Sequence, residues 1–82
     1  MNFTEVLNAV IADGSAYAAA KKIDVTPSTF YRYQNGKKHP SDNVLNKMIE
    51  LTGLPPEQVY LAAYAEKIGN PAAAQAFRHL AA

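Results

Sequence analysis

The sequence predicts an all-helical domain, and three observations carry that prediction. Alanine occurs 15 times in 82 residues, with runs at Ala18-Ala19-Ala20 and Ala72-Ala73-Ala74. It is the best helix former because its side chain has no rotamer freedom to lose. Val, Ile and Thr form no sustained alternating run, the nearest approach, Ile23-Asp24-Val25-Thr26, stopping at Pro27, so no half-buried strand is written into the chain. Helix-starting residues (Ser15, Thr26-Pro27, Ser41, Asn70-Pro71) and helix-stopping glycines (Gly14, Gly36, Gly53, Gly69) punctuate it at short intervals. The length fits one small domain, residues 1–82. With no cysteine, stability must come from packing the 49% of residues that are hydrophobic.

Six helices follow from the pattern. The first runs from Asn2 to Asp13, with Asn2 as cap and Glu5 three residues on, where its carboxylate reaches back to the cap amide. Phe3, Val6, Leu7, Val10 and Ile11 share one face, and Gly14 ends the helix. The second runs from Ser15 to Ile23, and its small Ala19 and Ala20 allow another helix to approach closely. The third runs from Thr26 to Asn35. Thr26 caps it, Pro27 occupies the first helical position where its missing N–H is harmless, and Gly36 supplies a left-handed end. Phe30 and Tyr33, three apart, point inward; Ser28, Tyr31 and Arg32 point elsewhere. The fourth begins at Ser41 and carries Val44, Leu45, Met48, Ile49 and Leu51 up to Gly53. The fifth runs from Pro56 to Lys67 with Val59, Tyr60, Ala63 and Tyr64 apolar, and Gly69 breaks it. Asn70-Pro71 then starts a sixth, from Pro71 to Leu80.

The net charge of +1 hides an asymmetry. Residues 21–47 carry Lys21, Lys22, Arg32, Lys37, Lys38 and Lys47 against Asp24 and Asp42, a net of +4, whereas residues 1–20 carry −2 and residues 48–82 carry −1. A basic middle between mildly acidic ends points to an anionic partner. Within that middle, residues 15–36 hold two short helices and a turn at Asp24-Val25, the arrangement of a helix-turn-helix.

This stretch resembles the lambda-repressor-like family, also called the Cro/C1-type or xenobiotic-response-element helix-turn-helix family. The resemblance covers 27 of the 82 residues, from Ser15 to Ser41. It rests on Ala20, on the Ile23-Asp24-Val25 step, and on the ending Asn35-Gly36-Lys37-Lys38-His39-Pro40-Ser41. It implies a five-helix DNA-binding domain with an additional C-terminal helix. Two positions depart from the family. Asp24 stands where the turn usually has Gly, and Asp tolerates a left-handed backbone better than most residues. Ala16 stands where the family often has a phosphate-binding Gln, so that contact is missing.

What the resemblance implies is double-stranded DNA as partner, read by the outward face of the third helix. Pro27, Ser28, Tyr31 and Arg32 are the candidate base contacts. Arg32 is the sharpest, because a guanidinium pairs with both major-groove acceptors of guanine. By the same resemblance, Asn35, Lys37, Lys38, Ser41 and Asn43 grip the phosphate backbone on one side, and Ser15 and Tyr17 on the other. One domain reads few base pairs, so a homodimer on a near-palindromic operator is expected, with recognition helices ~34 Å apart. Helices five and six (56–80) are the expected dimerisation region, through Tyr60, Tyr64, Phe77 and Leu80.

The other chemistries have little behind them. His39 and His79 have no second ligand at metal spacing, so no metal site is expected. Ser15, Ser28 and Ser41 read as caps or surface hydroxyls without an adjacent base, so no enzyme, cofactor or small-molecule ligand is implied. No apolar run approaches membrane length and no signal-like N-terminus is present, so the expected location is the cytoplasm of a bacterial or phage-infected cell. The sequence thus points to a transcriptional regulator, a Cro-like repressor. The alternatives are an antitoxin that autoregulates its operon through the same fold, and a protein-interaction module that has kept the fold without DNA binding.

Overall fold

The computed structural model describes residues 1–81. Among them the chain is all-helical, with α1 (Phe3–Ile11), α2 (Ala16–Lys22), α3 (Pro27–Gln34), α4 (Asp42–Thr52), α5 (Pro56–Ala65) and α6 (Pro71–Ala81). No helix among the described residues is long and apolar enough to cross a membrane.

The helix starts are set by local chemistry. Asn2 and Glu5 form a reciprocal capping box, with Glu5 N–H donating to Asn2 Oδ1 at 2.9 Å and Asn2 N–H to Glu5 Oε1 at 3.1 Å. Ser15 accepts from Ala18 N–H, Thr26 from Thr29 N–H, and Ser41 from Val44 N–H. Asn70 accepts from the amides of Ala72 and Ala73.

The helix ends differ in part from the sequence expectation. α1 stops at Ile11 rather than Asp13, and the break is made by Ala12, at φ 51°, not by Gly14. The reason lies in the next element: Ser15 must be extended to cap α2, so the chain has to turn before it, and the Ala12 N–H still closes on Asn8 O at 2.9 Å. α5 likewise ends at Ala65, ahead of Lys67 and Gly69. α2 and α3 end as expected, and by the same device. Asp24 (φ 59°) and Gly36 (φ 71°) are both left-handed. Each is followed by an amide that reaches back to the helix: Val25 N–H to Ala20 O at 3.0 Å, and Lys37 N–H to Arg32 O at 2.9 Å. Asp24 N–H also bonds Lys21 O, and Gly36 N–H bonds Tyr33 O, completing two Schellman motifs.

One apolar cluster joins the first five helices. Phe3, Val6, Leu7 and Val10 of α1 meet Ala19, Ala20 and Ile23, Phe30 and Tyr33 of α3, Leu45 and Met48 of α4, and Val59, Ala62 and Ala63 of α5. Val25 plugs the α2–α3 turn, half-buried against this cluster. Leu51, which the α4 pattern groups with the apolar residues, is instead exposed. α6 packs mainly along α5, through the buried Ala74 and the half-buried Phe77, and neither belongs to the central cluster.

Candidate nucleic-acid interface

α3 is short and strongly two-faced. Thr26 caps it, and its hydroxyl also donates to Thr29 Oγ1 at 2.9 Å, so two hydrogen bonds close the first turn. Phe30 is fully buried and Tyr33 nearly so, at 5% exposure, their rings meeting edge to face at 6.5 Å. Because these two positions are three apart, the residues between and beside them turn outward. Pro27, Ser28, Tyr31 and Arg32 are accordingly all exposed, Tyr31 by 64%. None of the described residues hydrogen-bonds or ion-pairs with the Arg32 guanidinium.

The residues expected to flank this face are also exposed. Asn35, Lys37 and Lys38 lie in the α3–α4 connection, with Ser41 and Asn43 at the start of α4 and Ser15 and Tyr17 at the start of α2. Ser15 and Ser41 spend their hydroxyls as helix caps, so what they present outward is backbone as much as side chain.

The basic segment is not uniformly available. Lys47 pairs with Asp24 at 3.2 Å, tying the α2–α3 turn to α4. Lys21 lies over the Tyr17 ring, 4.7 Å from its centroid. Lys22, Arg32, Lys37 and Lys38 have no ion-pair or hydrogen-bond partner among the described residues. Sequence reasoning missed the Lys21 contact, although the i, i+4 spacing of Tyr17 and Lys21 on one helix announces it.

A cleft of about 500 Å³ opens between the start of α3 and the α3–α4 connection. Thr26, Thr29, Tyr33, Lys38, His39, Ser41 and Val44 line it, and Lys67 arrives there from beyond α5. Tyr33 is packed with Phe30 and its hydroxyl has no hydrogen-bond partner among the described residues; burial pushes its pKa up. Lys67 at this rim is not legible in the sequence, because it is 28 and 29 residues from His39 and Lys38, which the fold brings to the same cleft. No group of three potential metal ligands comes together among the described residues.

The four residues expected to form a dimer surface fall into two settings. Tyr60 and Tyr64 turn towards α4: the Tyr60 hydroxyl donates to Asn46 Oδ1 at 2.7 Å, and the Tyr64 hydroxyl to Asp42 Oδ1 at 2.8 Å. That hydrogen bond to Asp42 is the main cause raising the Tyr64 pKa. Phe77 is half-buried on α6, whereas Leu80 is 70% exposed. No protein-family model matches the chain, and no curated protein or solved structure is significantly similar to it.

Proposed function

We propose that the chain binds double-stranded DNA sequence-specifically and acts as a transcriptional regulator, a Cro-like repressor that occupies a palindromic operator as a dimer. The observation that carries this reading is the outer face of α3. A helix anchored from behind by Phe30 and Tyr33 presents Pro27, Ser28, Tyr31 and an unpartnered Arg32 to solvent. Such a face suits a major groove, where Arg32 pairs with guanine and Tyr31 or Pro27 packs on a thymine methyl. Lys37 and Lys38, equally unpartnered, supply sequence-independent attraction to phosphate beside it. The resemblance of residues 15–41 to the lambda-repressor-like family supports the same reading. Self-association fits the exposed Leu80 on α6, a large apolar side chain left outside the core.

The test is selection of bound sequences from a random duplex pool, followed by titration at several salt concentrations. The reading expects an enriched motif with two-fold symmetry. Replacing Lys37 with Ala should then weaken binding equally on all sequences and flatten the log–log salt slope by about 0.9. Absence of any salt-dependent duplex binding sinks the proposal and leaves the protein-interaction module in its place.

A further inference from the structure

Two tyrosines one turn apart on α5 meet two polar residues one turn apart on α4. Tyr60 bonds Asn46 Oδ1 and lies 3.3 Å from the Asp42 carbonyl oxygen. Tyr64 bonds the Asp42 carboxylate itself, at 2.8 Å. The Tyr64 ring also carries a cation, with Lys67 Nζ 4.6 Å from its centroid. One phenol therefore holds an anion at its hydroxyl and a cation on its face.

The two charges have opposite consequences for α4. Asp42 is the first residue of that helix, next to the Ser41 cap. A carboxylate there complements the helix dipole, yet it repels any phosphate approaching the same end. Tyr64 holds this carboxylate towards α5. The Lys67 side chain, by contrast, lines the cleft bordered by Lys38, His39 and Ser41.

We propose that Tyr64 is a positioning residue for nucleic-acid binding: it draws the Asp42 carboxylate back from the entrance of α4 and sets Lys67 at the rim beside Lys38 as a further phosphate contact. This rests on the DNA-binding reading above, and it gives a task to the hydroxyl and ring of Tyr64, a side chain that is itself 38% exposed. A phenol with its ordinary pKa of about 10 is a donor throughout the neutral range, and the bond to Asp42 raises the Tyr64 pKa further. Replacing Tyr64 with Phe removes the hydroxyl and leaves the ring under Lys67, which separates the two halves of the device.

The experiment measures dissociation constants by fluorescence anisotropy on the duplex recovered from the pool, at two salt concentrations. Circular dichroism and sedimentation equilibrium are run in parallel for fold and oligomeric state. Tyr64→Phe is expected to weaken binding about threefold to tenfold while the protein stays folded and equally associated. Asp42→Asn is expected to tighten binding about twofold to fivefold, because it keeps an acceptor and loses the charge. The double variant should bind like Asp42→Asn, since a neutral side chain no longer needs holding back. Lys67→Gln should weaken binding and flatten the salt slope by about 0.9. The proposal is overturned by wild-type affinity in Tyr64→Phe, by a double variant as weak as Tyr64→Phe, by an unchanged salt slope in Lys67→Gln, or by affinity loss that merely follows loss of self-association. If Tyr64→Phe unfolds, an Asp42→Asn variant that fails to tighten binding or a Lys67→Gln variant with an unchanged salt slope still overturns the proposal. A wild-type chain that binds no duplex removes the functional reading underneath; wild-type binding with an indifferent Tyr64→Phe removes this inference alone.

Discussion

α3 and α6 are both amphipathic helices with one face against the protein, and they differ in what is left over. α3 commits two aromatic rings to the central cluster and leaves a polar, cationic face bare. α6 commits Ala74 and part of Phe77 to a contact with α5 outside that cluster, and leaves Leu80 bare. A rigid helix with surplus hydrogen-bonding capacity suits a polar, charged ligand. A helix anchored outside the central cluster, with a large apolar side chain left bare, suits another protein surface. The same periodicity thus yields two different offers, decided by which side chains the core takes up.

The sharpest way to break this contrast is to remove the anchor. Phe30→Ala should lower folding stability by about 3–5 kcal/mol, because a fully buried ring leaves a cavity, and urea unfolding followed by circular dichroism measures it. On the outer face of the same helix, Arg32→Ala should leave stability within about 0.5 kcal/mol. It should instead lose about 1–3 kcal/mol of discrimination at one base pair per half-site. Equal loss on specific and random duplexes would make Arg32 a phosphate contact. The left-handed end of α3 separates glycines by geometry. Gly36→Ala, at φ 71°, should destabilise by about 1 kcal/mol. Gly14→Ala should be neutral or slightly stabilising, because Gly14 is not left-handed and its added Cβ would lie 3.5 Å from Ile11 O, an ordinary contact.

Leu80→Ala probes the other side of the comparison. Thermal unfolding should barely move, within about 0.5 kcal/mol, since the side chain is 70% exposed. Sedimentation equilibrium should show weaker self-association, and an unchanged dimer would remove Leu80 from the interface. The smallest effect is expected at Tyr33. Its folded-state pKa is raised above 10.0 by burial, so its stabilisation is complete below that value and is lost as the pH rises through the folded pKa. Tyr33→Phe should therefore match the wild type near neutral pH and resist alkaline unfolding better, as a pH series of melting temperatures reports.

How much of this was legible in the sequence depends on the range of each interaction. The caps at Asn2, Ser15, Thr26, Ser41 and Asn70 bond to amides two or three residues away, and residue type alone reveals them. Asp24 in a left-handed turn is equally local. The exposure of Pro27, Ser28, Tyr31 and Arg32 followed from the inward pull of Phe30 and Tyr33. The tyrosines of α5 behaved otherwise. Their hydroxyls bond α4 across separations of 14 and 22 residues, which spacing within α5 does not reveal. No periodicity encodes how two helices cross.

The sequence by itself determined the helical class, where the helices start, and which side of α3 faces out, because backbone capping and the 3.6-residue repeat act within one or two turns. Tertiary structure decided that Lys47 is paired with Asp24 while Lys22, Arg32, Lys37 and Lys38 are left without a partner among the described residues, and that Lys67 lies in the cleft beside Lys38. Those outcomes depend on charges brought together from distant positions, and only the packed arrangement of α1 to α5 sets those distances.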